Sequence, residues 1–154
     1  MVRNGFTLVE MMVVLLVMAL AGGAVMMVVG SGGASVGQDA ARLASRVAAA
    51  RETAITGARP VSLWVSSSGY GFDRYSSGKW QAEERGALKS SDWDAGTTVT
   101  TSGIGGDGAK LSGGAARLTF DNLGLPEGPM RVELKRDDRT ARVEVAANGD
   151  VVVR

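Results

Sequence analysis

An uncharged apolar segment near the N-terminus constrains this chain more than any other feature of its sequence. No charged residue occurs between Met11 and Gln38, and the stretch from Met11 to Val29 is almost wholly apolar. A helix needs about 20 apolar residues to cross the hydrocarbon core of a bilayer. The sequence therefore predicts a membrane-inserted helix ahead of any soluble part of the chain.

Hydrophobicity alone leaves two ordinary interpretations of this segment open. One is a cleaved secretory signal, for which Ala19-Leu20-Ala21 supplies the small residues of a cleavage site, and the other is a plain membrane anchor. Glu10 disfavours a plain anchor, because a carboxylate at mid-bilayer costs roughly 2.5 to 3.5 kcal/mol and gives an anchor no benefit. A carboxylate in this place indicates a pairing partner.

The residues before Glu10 indicate where that partner could lie. In the run Gly5-Phe6-Thr7-Leu8-Val9-Glu10, the glutamate follows Phe6 by one helical turn. If the chain is cleaved after Gly5, the carboxylate comes within reach of an amine on an adjacent subunit. The charge would then be paired on assembly.

This N-terminal sequence resembles the type IV pilin and type II secretion pseudopilin superfamily. Leaders in that superfamily end in glycine, and mature chains begin with phenylalanine, Thr-Leu-Val-Glu and an apolar helix, a pattern that residues 1–20 match. The resemblance implies cleavage between Gly5 and Phe6 by a prepilin peptidase, N-methylation of Phe6, and docking of the subunit into a filament through Glu10.

The composition excludes most catalytic constellations. The chain has no cysteine and no histidine, so it has no disulfide framework, no cysteine nucleophile, no histidine base and none of the commonest zinc ligands. Its 154 residues leave room for one head of roughly 100 residues beyond the N-terminal helix. We expect a protein that is not an enzyme and carries no metal or cofactor.

A second helical pattern follows a glycine-rich stretch. Apolar residues recur at spacings of three and four from Gln38 or Asp39 onward, and Gly57 followed by Pro60 stops the helix near Thr56. The apolar face is Ala40, Leu43, Val47, Ala50 and Ala54. The predicted segments are a leader (1–5), a transmembrane and filament-core helix (6–29), a glycine-rich flexible joint (30–37), an amphipathic helix (38–57) and a periplasmic β head (58–154).

Beyond Pro60 the apolar period changes from helical spacing to alternation, which predicts strands. Residues 61–65 and 70–74 read as a hairpin, residues 130–134 and 141–145 as a second antiparallel pair, and Val151–Val153 as a last short strand. Asn148-Gly149 is the signal of a two-residue hairpin turn. The expected fold class is α+β, with a long N-terminal helix packed on a small antiparallel head of two sheets.

A finer resemblance covers much of the rest of the chain. Three segments occur in an order similar to that of the minor pseudopilin H family of type II secretion. They are residues 49–55, Arg59-Pro60-Val61-Ser62-Leu63 and Phe120-Asp121-Asn122-Leu123-Gly124. This implies a single-pass protein of the bacterial inner membrane with its head in the periplasm. The implied partners are other major and minor pseudopilins, the prepilin peptidase, the inner membrane and the inner-membrane assembly platform. A minor pilin of a type IV pilus or DNA-uptake machine is the first alternative, and an exported enzyme behind a signal anchor is the second.

Several sequence features suggest chemistry that their context does not support. Gly103–Lys110 lacks the lysine and hydroxyl spacing of a phosphate-binding loop, so a surface loop is expected. Three pairs of acidic residues are interpreted as solvated turns: Asp92 with Asp94, Glu83 with Glu84, and Asp137 with Asp138. The large aromatic residues are interpreted mainly as packing; they are Trp64, Trp80, Trp93, Tyr70 and Tyr75. Between Pro126 and Arg154, six basic residues balance six acidic ones, which argues against a nucleic-acid partner.

Overall fold

The structure is a computed structural model that describes residues 9–18, 35–103 and 114–154. The chain divides into two compact units, Met1–Gly33 and Ala34–Arg154. In the first unit, residues 9–18 form a helix, α1. Within the three described ranges, no helix combines the length and the apolarity that crossing a bilayer requires.

The second unit begins with helix α2, Val36–Gly57. Ser35 caps its N-terminus through a reciprocal capping box, in which the Ser35 hydroxyl accepts from the Gln38 N–H and the Gln38 side chain accepts from the Ser35 N–H. Ala58 ends the helix in the left-handed conformation, at φ 46°. The apolar face expected from the sequence is fully buried, at Ala40, Leu43, Val47, Ala50 and Ala54.

A five-stranded antiparallel sheet forms one part of the head. Its strands are β1 (Val61–Val65), β2 (Gly69–Ser76), β3 (Lys79–Ala82), β4 (Ser91–Asp92) and β6 (Ala116–Phe120). The order is β3-β2-β1-β6, and β4 also pairs with β2. A short 3-10 turn, Gly86–Leu88, lies between β3 and β4. The predicted first hairpin is confirmed as β1 and β2, with Leu63 opposite Phe72.

A four-stranded antiparallel sheet forms the other part of the head. It contains β5 (Thr98–Gly103), β7 (Met130–Arg136), β8 (Arg139–Val145) and β9 (Val151–Val153), in the order β5-β7-β8-β9. The predicted C-terminal meander is therefore confirmed, and β5 extends it at one edge. This sheet presents a polar outer face and an apolar inner face, as the strict alternation in β7 and β8 requires.

One core joins the helix to both sheets, because α2 packs on β1 and β6 of the first sheet and on β7, β8 and β9 of the second. The alanines of α2 bring its backbone close to the strands, and large side chains of the sheets fill the remaining space. These include Leu63, Phe72, Leu118, Phe120, Val132, Leu134 and Val143. The expected α+β class, with a helix on two antiparallel sheets, is confirmed.

Two local predictions differ from the structure. Helix α2 begins at Val36 rather than at Gln38, so Val36 and Gly37 belong to the helix and not to the glycine-rich segment. The turn between β8 and β9 has the three loop residues Ala147, Asn148 and Gly149, since Ala146 N–H donates to Asp150 O. Of the predicted turn pair, Gly149 alone has a positive φ, 84°, whereas a two-residue type I′ turn needs two such residues.

Candidate assembly segment and helix–head junction

Helix α1 carries the one predicted site residue that the structure describes. Glu10 lies in the first turn of residues 9–18 and is exposed, as are the apolar side chains that follow it. Val9, Leu15, Val17 and Met18, which are distributed around the whole circumference of the helix, are each more than half exposed. A helix apolar on every side is stable only where lipid or other helices cover it. Gly5 and Phe6 lie outside the described residues.

The first turn of α2 is fixed to the head by a buried ion pair. Asp39 is 4% exposed, and its Oδ2 accepts from Nη2 of Arg136, on β7, at 2.5 Å. Arg136 also donates to Thr97 Oγ1, and Arg42 approaches Asp39 Oδ1 at 3.5 Å. An acid in the first turn of a helix also interacts favourably with the helix dipole. This pair therefore sets where the helix starts along the four-stranded sheet.

The last third of α2 is fixed to the head by Arg51. Its Nε donates to Gly124 O at 3.1 Å, and its Nη2 donates to Asn148 O at 3.1 Å. Nη1 lies 3.5 Å from Asp150 Oδ1. One guanidinium thus ties together the helix, the loop after β6 and the hairpin between β8 and β9. The planar fork of arginine suits several acceptors held in fixed directions.

Two glycines allow these loops to close on the helix. Gly124 has φ 76°, and a Cβ there would lie 2.7 Å from the Ile55 side chain. At Gly149 the corresponding distance to Arg51 Nε is 2.8 Å. Asp121 shapes the first loop, because its Oδ1 accepts from the N–H groups of both Leu123 and Leu125. The junction therefore depends on backbone that approaches the helix more closely than a side chain would permit.

The acidic pairs lie in separate places, and two of their members contact arginine side chains. Glu83 pairs with Arg74 at 3.1 Å, and Asp94 lies 3.7 Å from Arg136. Asp137 occupies the turn between β7 and β8 with φ 53°. Among the residues that the structure describes, no three potential metal ligands cluster. Of the glycine-rich run at 103–110, only Gly103 is described, at the end of β5.

The aromatic residues divide between the core and the outer surface. Tyr70 is buried against Trp93, with ring centroids 4.7 Å apart, while Tyr75 and Trp80 form an exposed edge-to-face pair at 5.3 Å. Burial raises the pKa of Tyr70, and the Arg46 guanidinium, 5.5 Å from its ring, partly offsets this shift. Trp64 covers Gly71, where a Cβ would lie 2.5 Å from the indole. Aromatic packing was thus predicted correctly, although Tyr75 and Trp80 are partly open to solvent.

Comparison with known families decides the classification. A sequence model of the type II transport protein GspH matches residues 39–149, which is well over half of the chain. The chain belongs to the GspH family. A second model, the prokaryotic N-terminal methylation motif, matches residues 1–26. A search of curated protein sequences returns no significant match.

Solved structures show the same fold at low sequence identity. The minor pseudopilin EpsH from the type 2 secretion system of Vibrio cholerae superposes with a TM-score of 0.60 and 16% identity, covering 75% of this chain and 93% of that chain. The type IV minor pilin FimU of Pseudomonas aeruginosa superposes with a TM-score of 0.54 and 16% identity, covering 75% and 84%. The GspH family consists of structural pseudopilin subunits, so the expectation of a non-enzymatic protein agrees with its classification.

The contacts that Asp39 and Arg51 of α2 make with the strands and loops form the helix–head junction. The GspH match begins at Asp39 and ends at Gly149, so it includes both of these residues. The sequence alone did not identify this junction. Asp39 was assigned to the start of the helix, but nothing in the spacing indicated that it would be buried. Arg51 and Gly124 entered only through the family resemblance. A signal did exist at Gly124, since Asp121-Asn122-Leu123-Gly124 has the residues of an Asx-type turn that ends in a left-handed glycine.

Proposed function

We propose that this chain is a minor pseudopilin of a type II secretion system. It is a structural subunit of the periplasmic pseudopilus, the filament that drives export of folded proteins through the outer membrane. The GspH family match over residues 39–149 carries this proposal. The similarity to EpsH over 93% of that chain supports it at the level of the fold.

The N-terminal segment gives the subunit its route into the filament. The methylation-motif match over residues 1–26 supports cleavage between Gly5 and Phe6 by a prepilin peptidase and methylation of the new amine of Phe6. The subunit spans the inner membrane once, with its head in the periplasm, and the assembly platform incorporates it. Glu10 pairs with an amine of an adjacent pseudopilin within the apolar filament core.

Processing tests the first step of this pathway. Intact-mass measurement of the protein from membranes should show a chain that starts at Phe6 with one methyl group. Gly5→Leu should block cleavage, because the residue before the cut bond is enlarged, and Gly22→Leu is the matched control that should leave cleavage intact. A mature chain that starts at Gly22 would support the signal-peptidase interpretation and contradict the proposal.

A minor pilin of a type IV pilus or DNA-uptake machine is the second candidate. The similarity to FimU favours it, since its TM-score of 0.54 is close to that for EpsH. The outer face of the four-stranded sheet gives no support to a DNA site, because two arginines of its strands pair with acids: Arg131 with Glu144, and Arg142 with Glu133. Paired arginines release few counterions on meeting phosphate.

The two candidates differ in their filament partners. Crosslinking in cells that contain both machines should recover the chain with the pseudopilins, and deletion of its gene should reduce protein secretion while leaving pili intact. Recovery with type IV pilins, together with loss of pili and normal secretion, would favour the second candidate.

A further inference from the structure

Strand β9 ends the four-stranded sheet and has no strand on its outer side within the described residues. It consists of the three valines Val151, Val152 and Val153. Val152 is 46% exposed and Val153 is 41% exposed. Sheet edges of soluble proteins are usually protected by being short, or by charged residues, proline or a bulge; β9 is short, but none of the other three devices interrupts it.

The hydrogen-bonding pattern fixes which backbone groups face outward. Arg142 and Arg154 exchange both N–H···O bonds, at 2.7 and 2.9 Å, and Ala146 N–H donates to Asp150 O at 2.8 Å. Bonded and non-bonded pairs alternate along antiparallel strands. Val153 opposite Val143 and Val151 opposite Val145 are therefore non-bonded pairs. The N–H and C=O groups of Val151 and Val153 point away from β8.

An apolar flank of α2 continues this edge. Arg51 contacts the β8–β9 hairpin, and α2 packs on β9. By helical spacing, Ala44, Ala48 and Ile55 lie on the same side of α2 as Arg51. Ala48 and Ile55 are exposed. A chain laid along β9 would therefore meet apolar side chains on the helix as well as backbone groups on the strand.

The opposite edge of the same sheet has a different character. Strand β5 is Thr-Val-Thr-Thr-Ser-Gly, so its exposed side chains are mainly hydroxyls. By the same alternation, the N–H groups of Val99 and Thr101 point outward there. Both edges thus offer backbone groups, but only β9 combines them with exposed apolar side chains.

We propose that β9 is a docking edge for an extended segment of another polypeptide chain, which adds a fifth strand to this sheet. Backbone groups spaced along an edge are recognised by another strand, and the valines select apolar residues at alternate positions of that strand. Asp150 and Arg154 lie at the two ends of β9, so an antiparallel segment is favoured when its acidic end meets Arg154 and its basic end meets Asp150. The proposal does not depend on which filament contains the protein.

A synthetic strand provides the probe. A fluorescently labelled acetyl-Glu-Val-Thr-Val-Thr-Val-Lys-amide peptide would be titrated against the full chain in detergent, and amide hydrogen exchange would be followed at Val151 and Val153. We expect saturable binding and slower exchange at both amides. Val153→Pro removes one outward N–H without breaking the β8 ladder, and it should weaken binding roughly tenfold.

Two matched controls separate backbone pairing from general adhesion. Thr101→Pro removes an outward N–H from the β5 edge and should leave peptide affinity unchanged. The same peptide N-methylated at alternate amides keeps its side chains and should lose binding. Any of three results would overturn the proposal. The peptide could bind Val153→Pro as tightly as the unaltered chain, the methylated peptide could bind as tightly as the unmodified one, or no binding could be detected at millimolar peptide. Concentration-dependent pairing of the chain with itself that Val153→Pro abolishes would also overturn it, since a second copy would then be the occupant.

Discussion

At the scale of single residues, the Asp39–Arg136 pair is the buried ionic contact that fixes the first turn of α2 on the head. Both side chains are largely buried, so each carries a charge that water cannot stabilise. Removing one member of such a pair leaves the other charge uncompensated, which typically costs about 3 to 5 kcal/mol. The attraction within the pair therefore adds little to the stability of the fold. Its main effect is the free-energy penalty on any position of α2 that separates the two charges.

Asp39→Ala should lower the free energy of unfolding by about 3 to 5 kcal/mol, measured by urea denaturation of the chain from Ala34 onward. Arg42→Ala is the control, because the partly exposed Arg42 guanidinium is only 3.5 Å from the same carboxylate and should contribute less than about 1 kcal/mol. The double variant Asp39→Ala/Arg136→Met should recover part of the loss. Equal losses for Asp39→Ala and Arg42→Ala would contradict this account.

Gly124→Ala should destabilise the head more than Gly78→Ala. Both glycines have nearly the same positive φ, 76° and 78°, but a Cβ at Gly124 meets Ile55 whereas one at Gly78 has no atom within 4 Å. We expect about 1 kcal/mol at Gly78 from backbone strain and an additional 1 to 3 kcal/mol (roughly) at Gly124 from overpacking. Thermal denaturation of both variants measures the difference. If Ile55→Ala does not reduce the effect of Gly124→Ala, the close approach is not its cause.

Glu10→Ala should leave membrane insertion and processing intact but impair incorporation into the filament. Insertion becomes easier when a carboxylate costing about 2.5 to 3.5 kcal/mol at mid-bilayer is removed, whereas assembly loses the partner of a neighbouring amine. Processing is followed by mobility shift, and incorporation by crosslinking to the other subunits. Glu52→Ala, at an exposed site on α2, is the control. If processed Glu10→Ala is recovered with the other subunits as efficiently as the control, Glu10 has no role in assembly.

At the scale of elements, the sequence predicted those whose pattern is set by the core. Helix α2 and strands β7 and β8 recur or alternate against one buried face, so their periodicity is visible, while β1 and the first half of β2 are apolar enough to be buried on both faces. Of the strands that were missed, β3 and β5 are held by pairing more than by burial, whereas β6 has a buried face at Leu118 and Phe120. All four residues of β3 are exposed, and β5 is rich in threonine with two half-buried positions. A strand without a buried face leaves no period to detect.

The start of α2 shows how a local signal can be hidden by its surroundings. Ser35 and Gln38 have the spacing of a capping box, but they follow a glycine-rich run that predicts a flexible segment. The flexible joint predicted at residues 30–37 therefore includes Ser35, and the predicted helix starts two residues late. The two processing residues, Gly5 and Phe6, came from a resemblance and not from any physical pattern, so their roles remain predictions.

A chain that begins at Ala34 should be soluble, folded and monomeric, whereas one that begins at Gln38 should be less stable. The shorter chain loses the Ser35 cap and the buried Val36 side chain. We expect a loss of about 0.5 to 2 kcal/mol from the cap and a further 1 to 3 kcal/mol (roughly) from Val36. Circular dichroism during urea denaturation compares the two. Identical midpoints would mean that the first turn of α2 contributes nothing to the head.

At the scale of the whole molecule, the head is organised around a helix that contacts both sheets. The four-stranded sheet holds α2 through the Asp39–Arg136 pair near one end and through Arg51 near the other. On the side of the five-stranded sheet, Arg46 of α2 lies over the ring of Tyr70 and donates to Lys89 O at 3.0 Å. Ala34–Arg154 is therefore one unit because its helix is shared, although its strands form two separate sheets.

The two attachments of α2 also determine how the head responds to tension. A pull on the chain at Ser35, directed along the helix axis, loads the ion pair at Asp39 and the three contacts of Arg51 at the same time. This is shear, in which bonds share the force and fail together, and it resists rupture better than peeling, in which they fail in sequence. Lifting the same helix away from the sheet would break the contacts one after another. The head is therefore mechanically anisotropic, and rupture under load depends on the rate of unfolding rather than on the equilibrium free energy.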